Sequence, residues 1–176
     1  MSMRSTADRY GGVAIALHWT SAVAILGALA GGLIMASAAD SATVRAILPI
    51  HIVLGSTALV LTLVRIGWWI WGDRRPQPVP GQPPAQERAA RIVHALLYAA
   101  ILILASSGVS TVVLSGAIPA LLSGAPLPDF DTFVPRVVHG LASKALLLLL
   151  SAHVAAALWH QLVRRDHLLS RMGIGA

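Results

Sequence analysis

Four stretches of this chain contain no Asp, Glu, Lys or Arg. They lie between Arg9 and Asp40, between Arg45 and Arg65, between Arg91 and Asp129, and between Lys144 and Arg164. Ala, Leu, Ile and Val dominate each, and each approaches or exceeds the roughly 20 apolar residues that carry a helix across a bilayer. Main-chain polar groups in lipid must be satisfied within their own segment, so helices are predicted over about 13–36, 49–71, 92–115 and 136–162. Charged residues are 11% of the chain and mean hydropathy is +0.75. That is under half the charge of an average soluble domain, which excludes a disordered chain and argues against a water-soluble globule. The expected fold is all-α: a four-helix transmembrane bundle forming one domain over residues 1–176.

The connections differ in kind. Segment 72–90 carries Pro, Gln and charge, which predicts a loop. Segment 116–135 contains Pro119, Gly124, Pro126, Pro128 and Pro135 with Asp129 and Asp131, a second long loop with room for a short interfacial helix. Segment 37–48 is the shortest connection. Arg4, Arg9, Arg65, Arg74, Arg75, Arg88, Arg91, Arg164, Arg165 and Arg171 fall on one side of the predicted bundle, against Arg45, Arg136 and Lys144 on the other. The positive-inside rule then puts both termini in the cytoplasm. Arg4, Arg9 and Ala36-Ser37-Ala38 imitate a secretory signal, but the apolar run exceeds a signal's core of about 7–15 residues, so it is expected to stay as a span. The net charge of +6 belongs to membrane edges rather than to nucleic-acid binding, and Trp68, Trp69 and Trp71 read as an interfacial aromatic belt.

Cysteine is absent, which excludes disulfide frameworks, thiolate metal sites and cysteine nucleophiles. Any metal must rest on the seven histidines and the few carboxylates. Ionisable residues inside a membrane are costly and therefore functional candidates. His139 and His153 stand 14 residues apart, ~40° short of four full turns and ~21 Å along one helix, so both imidazoles share a stripe. His18, ~14 Å beyond Arg9, matches the depth of His153, and His51 opens its helix on the side where His139 opens its own. Two cross-helix pairs follow, His18 with His153 and His51 with His139. His160 lies on the same stripe and is the rival of His153. With no carboxylate in any span, zinc or copper transport fits poorly. Paired imidazoles across a bundle suit a six-coordinate haem iron, and Gly55, Gly140 and Ala155–Ala157 offer room for a flat macrocycle. A haem-free transporter or structural bundle is the competing class.

The chain also resembles the bacterial cytochrome b561 family. The likeness rests on Arg9-Tyr10 with Ala16-Leu17-His18-Trp19, on His51-x-x-x-Gly55 with Arg65 beyond it, and on His94-x-x-x-Tyr98. It is strongest in the fourth helix, with His139, His153-Val-Ala-Ala-Ala-Leu-Trp-His160, Arg165-Asp166, Leu169 and Arg171-Met172. The resemblance implies a multi-pass inner-membrane cytochrome with two haem b groups, His18 and His153 ligating the inner iron and His51 and His139 the outer one. It also implies electron exchange with a ubiquinone-type quinone.

One branch the chain looks like oxidises superoxide at the outer face; similar folds serve as cytochrome b subunits for periplasmic dehydrogenases, hydrogenases or cytochrome partners. If superoxide is the donor, Arg136 and Lys144 are candidates to steer it. His94 and His160, at the inner edge, are candidates to supply protons to the quinone. Arg9, Arg65, Arg91, Arg136 and Lys144 are candidates for the haem propionates, and Lys144, inside a span, is expected to have a propionate, a cavity or an anionic substrate beside it. The donor and the oligomeric state stay open, a homodimer included.

Overall fold

The computed structural model describes residues 2–78 and 81–175. They form five α-helices: α1 (Gly12–Ser37), α2 (Ser41–Gly67), α3 (Pro84–Ser115), the short α4 (Ala117–Ser123) and α5 (Val134–Trp159). Four of the helical stretches are long and apolar enough to cross a membrane, and the described residues contain no strand. Two helices begin earlier than the charge pattern predicts. Asp40 caps α2 by accepting from the Thr43 amide (2.7 Å) and hydroxyl (2.9 Å), so the first connection is only Ala38–Asp40. Pro84, at the first position of α3, costs no hydrogen bond there, and the Glu87–Arg91 pair at 3.0 Å supports a polar turn before the apolar run. The predicted loop 72–90 thus narrows to 73–83. The predicted interfacial helix in the far loop is α4, set between Gly116 and Gly124, both in the left-handed region at φ 70° and 75°.

The long helices pair as two hairpins. α1 packs extensively on α2, and α3 on α5, while α2 and α3 touch more lightly. Along α1 the buried residues Ala14, Ser21, Ala24, Ala28 and Gly31 form a small-residue seam, which lets backbones approach where no hydrophobic effect drives helices together. Between the hairpins lies one apolar cluster: Leu146 (1% exposed), Ala100 and Ile101, with Ile25 and Leu29 of α1 against them. Leu146 sits seven residues from both His139 and His153, so the core separates two levels of histidine. Large apolar side chains such as Val113 (70%) and Leu148 (71%) face outward, as a lipid-facing surface requires.

The first and last described segments meet at one end of the bundle, here the terminal end; the other is the distal end. At the terminal end α2 and α5 each finish in a wider π-type turn, Trp68–Gly72 and His160–Arg164. The N-terminal segment is tied down there. Asp73 accepts from the Ser5 amide and hydroxyl (2.9 and 2.7 Å), and Arg171 donates to the carbonyls of Asp8 and Gln77 (both 2.7 Å). Trp19 Nε1 donates to the Met172 carbonyl at 3.1 Å. At the distal end Arg45 ties the α4 loop to α2 by donating to the carbonyls of Ala120 and Ala125.

Candidate functional site

At the distal level, His51 of α2 faces His139 of α5, ring centres 5.9 Å apart. His51 Nδ1 donates to the Ala28 carbonyl of α1 (2.8 Å), and His139 Nδ1 to the Leu104 carbonyl of α3 (2.9 Å). Donation from Nδ1 fixes the tautomer that leaves Nε2 with a free lone pair, the state a metal ligand needs. Each carbonyl is followed four residues later by a glycine lying against the same ring. A Cβ at Gly32 would stand 3.4 Å from His51 Cε1, and one at Gly108 only 3.0 Å from His139 Cε1. Glycine inside a helix costs stability relative to alanine; these two earn their place by letting an imidazole lie on the helix backbone. Neither glycine was singled out from the sequence, although Ala28-x-x-x-Gly32 and Leu104-x-x-x-Gly108 carry the signal.

At the terminal level, His18 of α1 and His153 of α5 stand 6.4 Å apart, centre to centre. His94 of α3 is nearer still to His153, at 5.2 Å. Sequence reasoning placed His94 at the membrane edge; the structure sets it within this group of three, because α3 starts eight residues earlier than predicted and His94 lies inside the helix. Arg65 Nη2 lies 3.2 Å from His18 Nδ1, and its guanidinium carbon is 5.4 Å from the centre of the Tyr98 ring. One stripe of α2 runs His51, Gly55, Ala58, Thr62, Arg65, joining the two levels.

The remaining sequence candidates fall elsewhere. His160 is buried (6% exposed). Its Nδ1 donates to Asp166 (2.5 Å) and its Nε2 accepts from the Gln86 amide (2.7 Å). It locks the end of α5 to the start of α3. Arg165 and His167, at φ 52° and 55°, bracket Asp166 in the left-handed backbone that presents it to His160. Lys144 is exposed on the outer surface of α5, and no carboxylate among the described residues pairs with it. It follows His139 by five residues, about 140° around the helix, so it faces away from the histidine stripe. Arg136 lies 3.8 Å from Asp131 near the mouth of the distal pair, and Arg9 donates to the Ser170 carbonyl at 3.3 Å.

These residues fit a haem. With metal–nitrogen bonds of about 2 Å and a ring nitrogen about 1.1 Å from its ring centre, two axial imidazoles on one iron stand about 6.3 Å apart, centre to centre. The observed 5.9 and 6.4 Å bracket that value. A Cβ at Gly55, one turn from His51, would meet nothing within 4 Å, which leaves space for a macrocycle beside the ligand.

A membrane bundle that opposes imidazoles in this way belongs to the class of b-type membrane cytochromes. The chain is a member of the prokaryotic cytochrome b561 family, whose match runs over residues 9–175. It is 29% identical over 188 residues to cytochrome b561 homolog 2 of Escherichia coli (strain K12), covering 98% of this chain and 95% of that one. To cytochrome b562 of Cereibacter sphaeroides it is 35% identical over 124 residues, covering 70% of this chain and 65% of the relative. No solved structure matches it. Family membership brings transmembrane electron transfer through b-type haem and a multi-pass place in the bacterial inner membrane.

Proposed function

We propose that the protein binds two haems, one between His51 and His139 and one between His18 and His153, and relays electrons between a donor at its distal end and a ubiquinone-type quinone. The observation that carries this reading is the pair of ring separations, 5.9 and 6.4 Å, each joining one imidazole from either hairpin. A six-coordinate haem supplies one-electron redox chemistry with no open position for a ligand. The chain's own residues do the rest. Ala28 and Leu104 orient the distal imidazoles, and Leu146 with its neighbours keeps water from the space between the levels. The ten arginines at or near the terminal end support that end as cytoplasmic, which makes the distal end periplasmic.

The donor proposed is superoxide or another small reductant. Arg136 supplies positive charge where an anion would approach the distal pair, while Lys144 lies on another face and is not needed for this. His94, inside the terminal cluster, is the better placed of the two proton-donor candidates; His160 is engaged at both nitrogens. The test is quinone reduction by purified protein supplied with superoxide alone. Quinol formation above the spontaneous rate, lost in His51→Ala, supports a superoxide:quinone oxidoreductase. Activity that appears only when a periplasmic dehydrogenase, hydrogenase or cytochrome is added favours the membrane-subunit reading instead.

A further inference from the structure

Arg65 sits half-buried within an apolar span, and among the described residues no carboxylate neutralises it. The other arginines considered for an anion are accounted for: Arg91 pairs with Glu87 at 3.0 Å, Arg136 lies 3.8 Å from Asp131, and Arg9 is exposed on a main-chain carbonyl. Lys144 lacks a carboxylate too, but its flexible stem on the outer surface of α5 can reach the lipid headgroups. Arg65 has no such exit, since it points at His18 and lies against Tyr98. One turn away on the same face of α2, Thr62 is fully buried and its hydroxyl has no hydrogen-bond partner among the described residues. A cation and an orphaned hydroxyl on one stripe are a receptor for an anion.

The contact with His18 sharpens the point. Arginine only donates, so a bond from Arg65 makes His18 Nδ1 the acceptor, and in a neutral imidazole the proton then sits on Nε2. A histidine that gives Nε2 to iron carries its proton on Nδ1, where a guanidinium N–H meets it donor to donor. The observed contact and coordination of His18 through Nε2 exclude each other. When His18 is a ligand, Arg65 must turn to another acceptor within reach.

We propose that Arg65 is the cationic partner of a propionate of the haem at the terminal level, with Thr62 as an accessory donor. This rests on the haem reading above and adds the residue that receives the haem's negative charge. The experiment uses holoprotein from cells fed 5-aminolevulinate labelled with 13C at the carboxyl carbon, so that the propionates can be followed by redox-difference infrared spectroscopy. In Arg65→Gln the labelled carboxylate band should move, and the reduction equilibrium of one haem should shift about tenfold towards the oxidised form, since a nearby unit positive charge is lost. Arg91→Gln should change neither. An unmoved labelled band would overturn the proposal and leave Arg65 acting on His18 itself. Should Arg65→Gln lose the terminal haem, Arg65→Lys decides. A retained haem with a displaced band supports the pairing; a retained haem with the wild-type band, or no retained haem, overturns it. A wild-type protein without haem would instead refute the parent reading, a distinguishable result.

Discussion

At the distal end, His51 and His139 each spend Nδ1 on a carbonyl of the neighbouring helix, and each rests on a glycine one turn beyond that carbonyl. At the terminal end, His18 meets the side chain of Arg65, and three imidazoles share the space that two would need. A helix carbonyl cannot move without unwinding its helix, whereas an arginine on four rotatable bonds can. The distal geometry is therefore set by the fold, and both hairpins set it by the same device: α1 offers Ala28 and Gly32 to α2, and α3 offers Leu104 and Gly108 to α5. The terminal geometry is set by charge and can adjust. Of the two histidine levels, one is held by main chain and the other by a movable side chain.

Removing the proposed ligands should have the largest effect. His51→Ala and His139→Ala should each abolish the same haem and spare the other, while His153→Ala should do the reverse; pyridine haemochrome content should fall by half each time. A variant of the distal pair that lost both haems would show the two levels to be one cooperative unit. Next in size are the glycines. Gly108→Ala should weaken distal haem binding by about 10–100-fold, the usual cost of disturbing a group that orients a metal ligand. Gly32→Ala should cost less, since its Cβ meets His51 at 3.4 Å rather than 3.0 Å. A different ranking in haem retention on dilution would refute the backbone-cradle account.

His94→Gln tests the adjustable end. If His18 is the ligand, haem content stays at the wild-type value and only the terminal haem's optical and redox properties change; loss of that haem would transfer the ligand role to His94. The smallest effect concerns the tie beneath this end. Burial raises the Asp73 carboxyl, but the hydroxyl and amide of Ser5 outweigh it and hold it below the usual carboxylate range. A lowered carboxyl stabilises the fold above its unfolded value, and that contribution is lost as pH falls through the folded one. Asp73→Asn should therefore lower stability at neutral pH, by no more than about 1 kcal/mol because solvent screens the tie, with the difference from wild type shrinking only in acid. A deficit that persisted unchanged at low pH would contradict the tie.

Much of this was legible in the sequence, for physical reasons. The spans follow from charge-free stretches, because lipid tolerates little else. The facing of His18 with His153 and of His51 with His139 follows from helical rise, which converts residue spacing into depth. Boundaries were less legible: Asp40 and Pro84 start their helices in polar sequence, where hydropathy has no signal but capping does. Depth alone groups Lys144 with the distal pair, whereas its ~140° offset from His139 turns it to another face of α5. His94, Gly32 and Gly108 depend on which helices become neighbours, and hydropathy does not say how four helices pair into hairpins.

The most direct test of two iron-clamping histidine pairs is the electron paramagnetic resonance spectrum of the oxidised, purified protein. Two low-spin ferric signals of the bis-imidazole type are expected, each integrating to one spin per chain. A single signal, a dominant high-spin five-coordinate signal, or no ferric haem at all would contradict two such pairs.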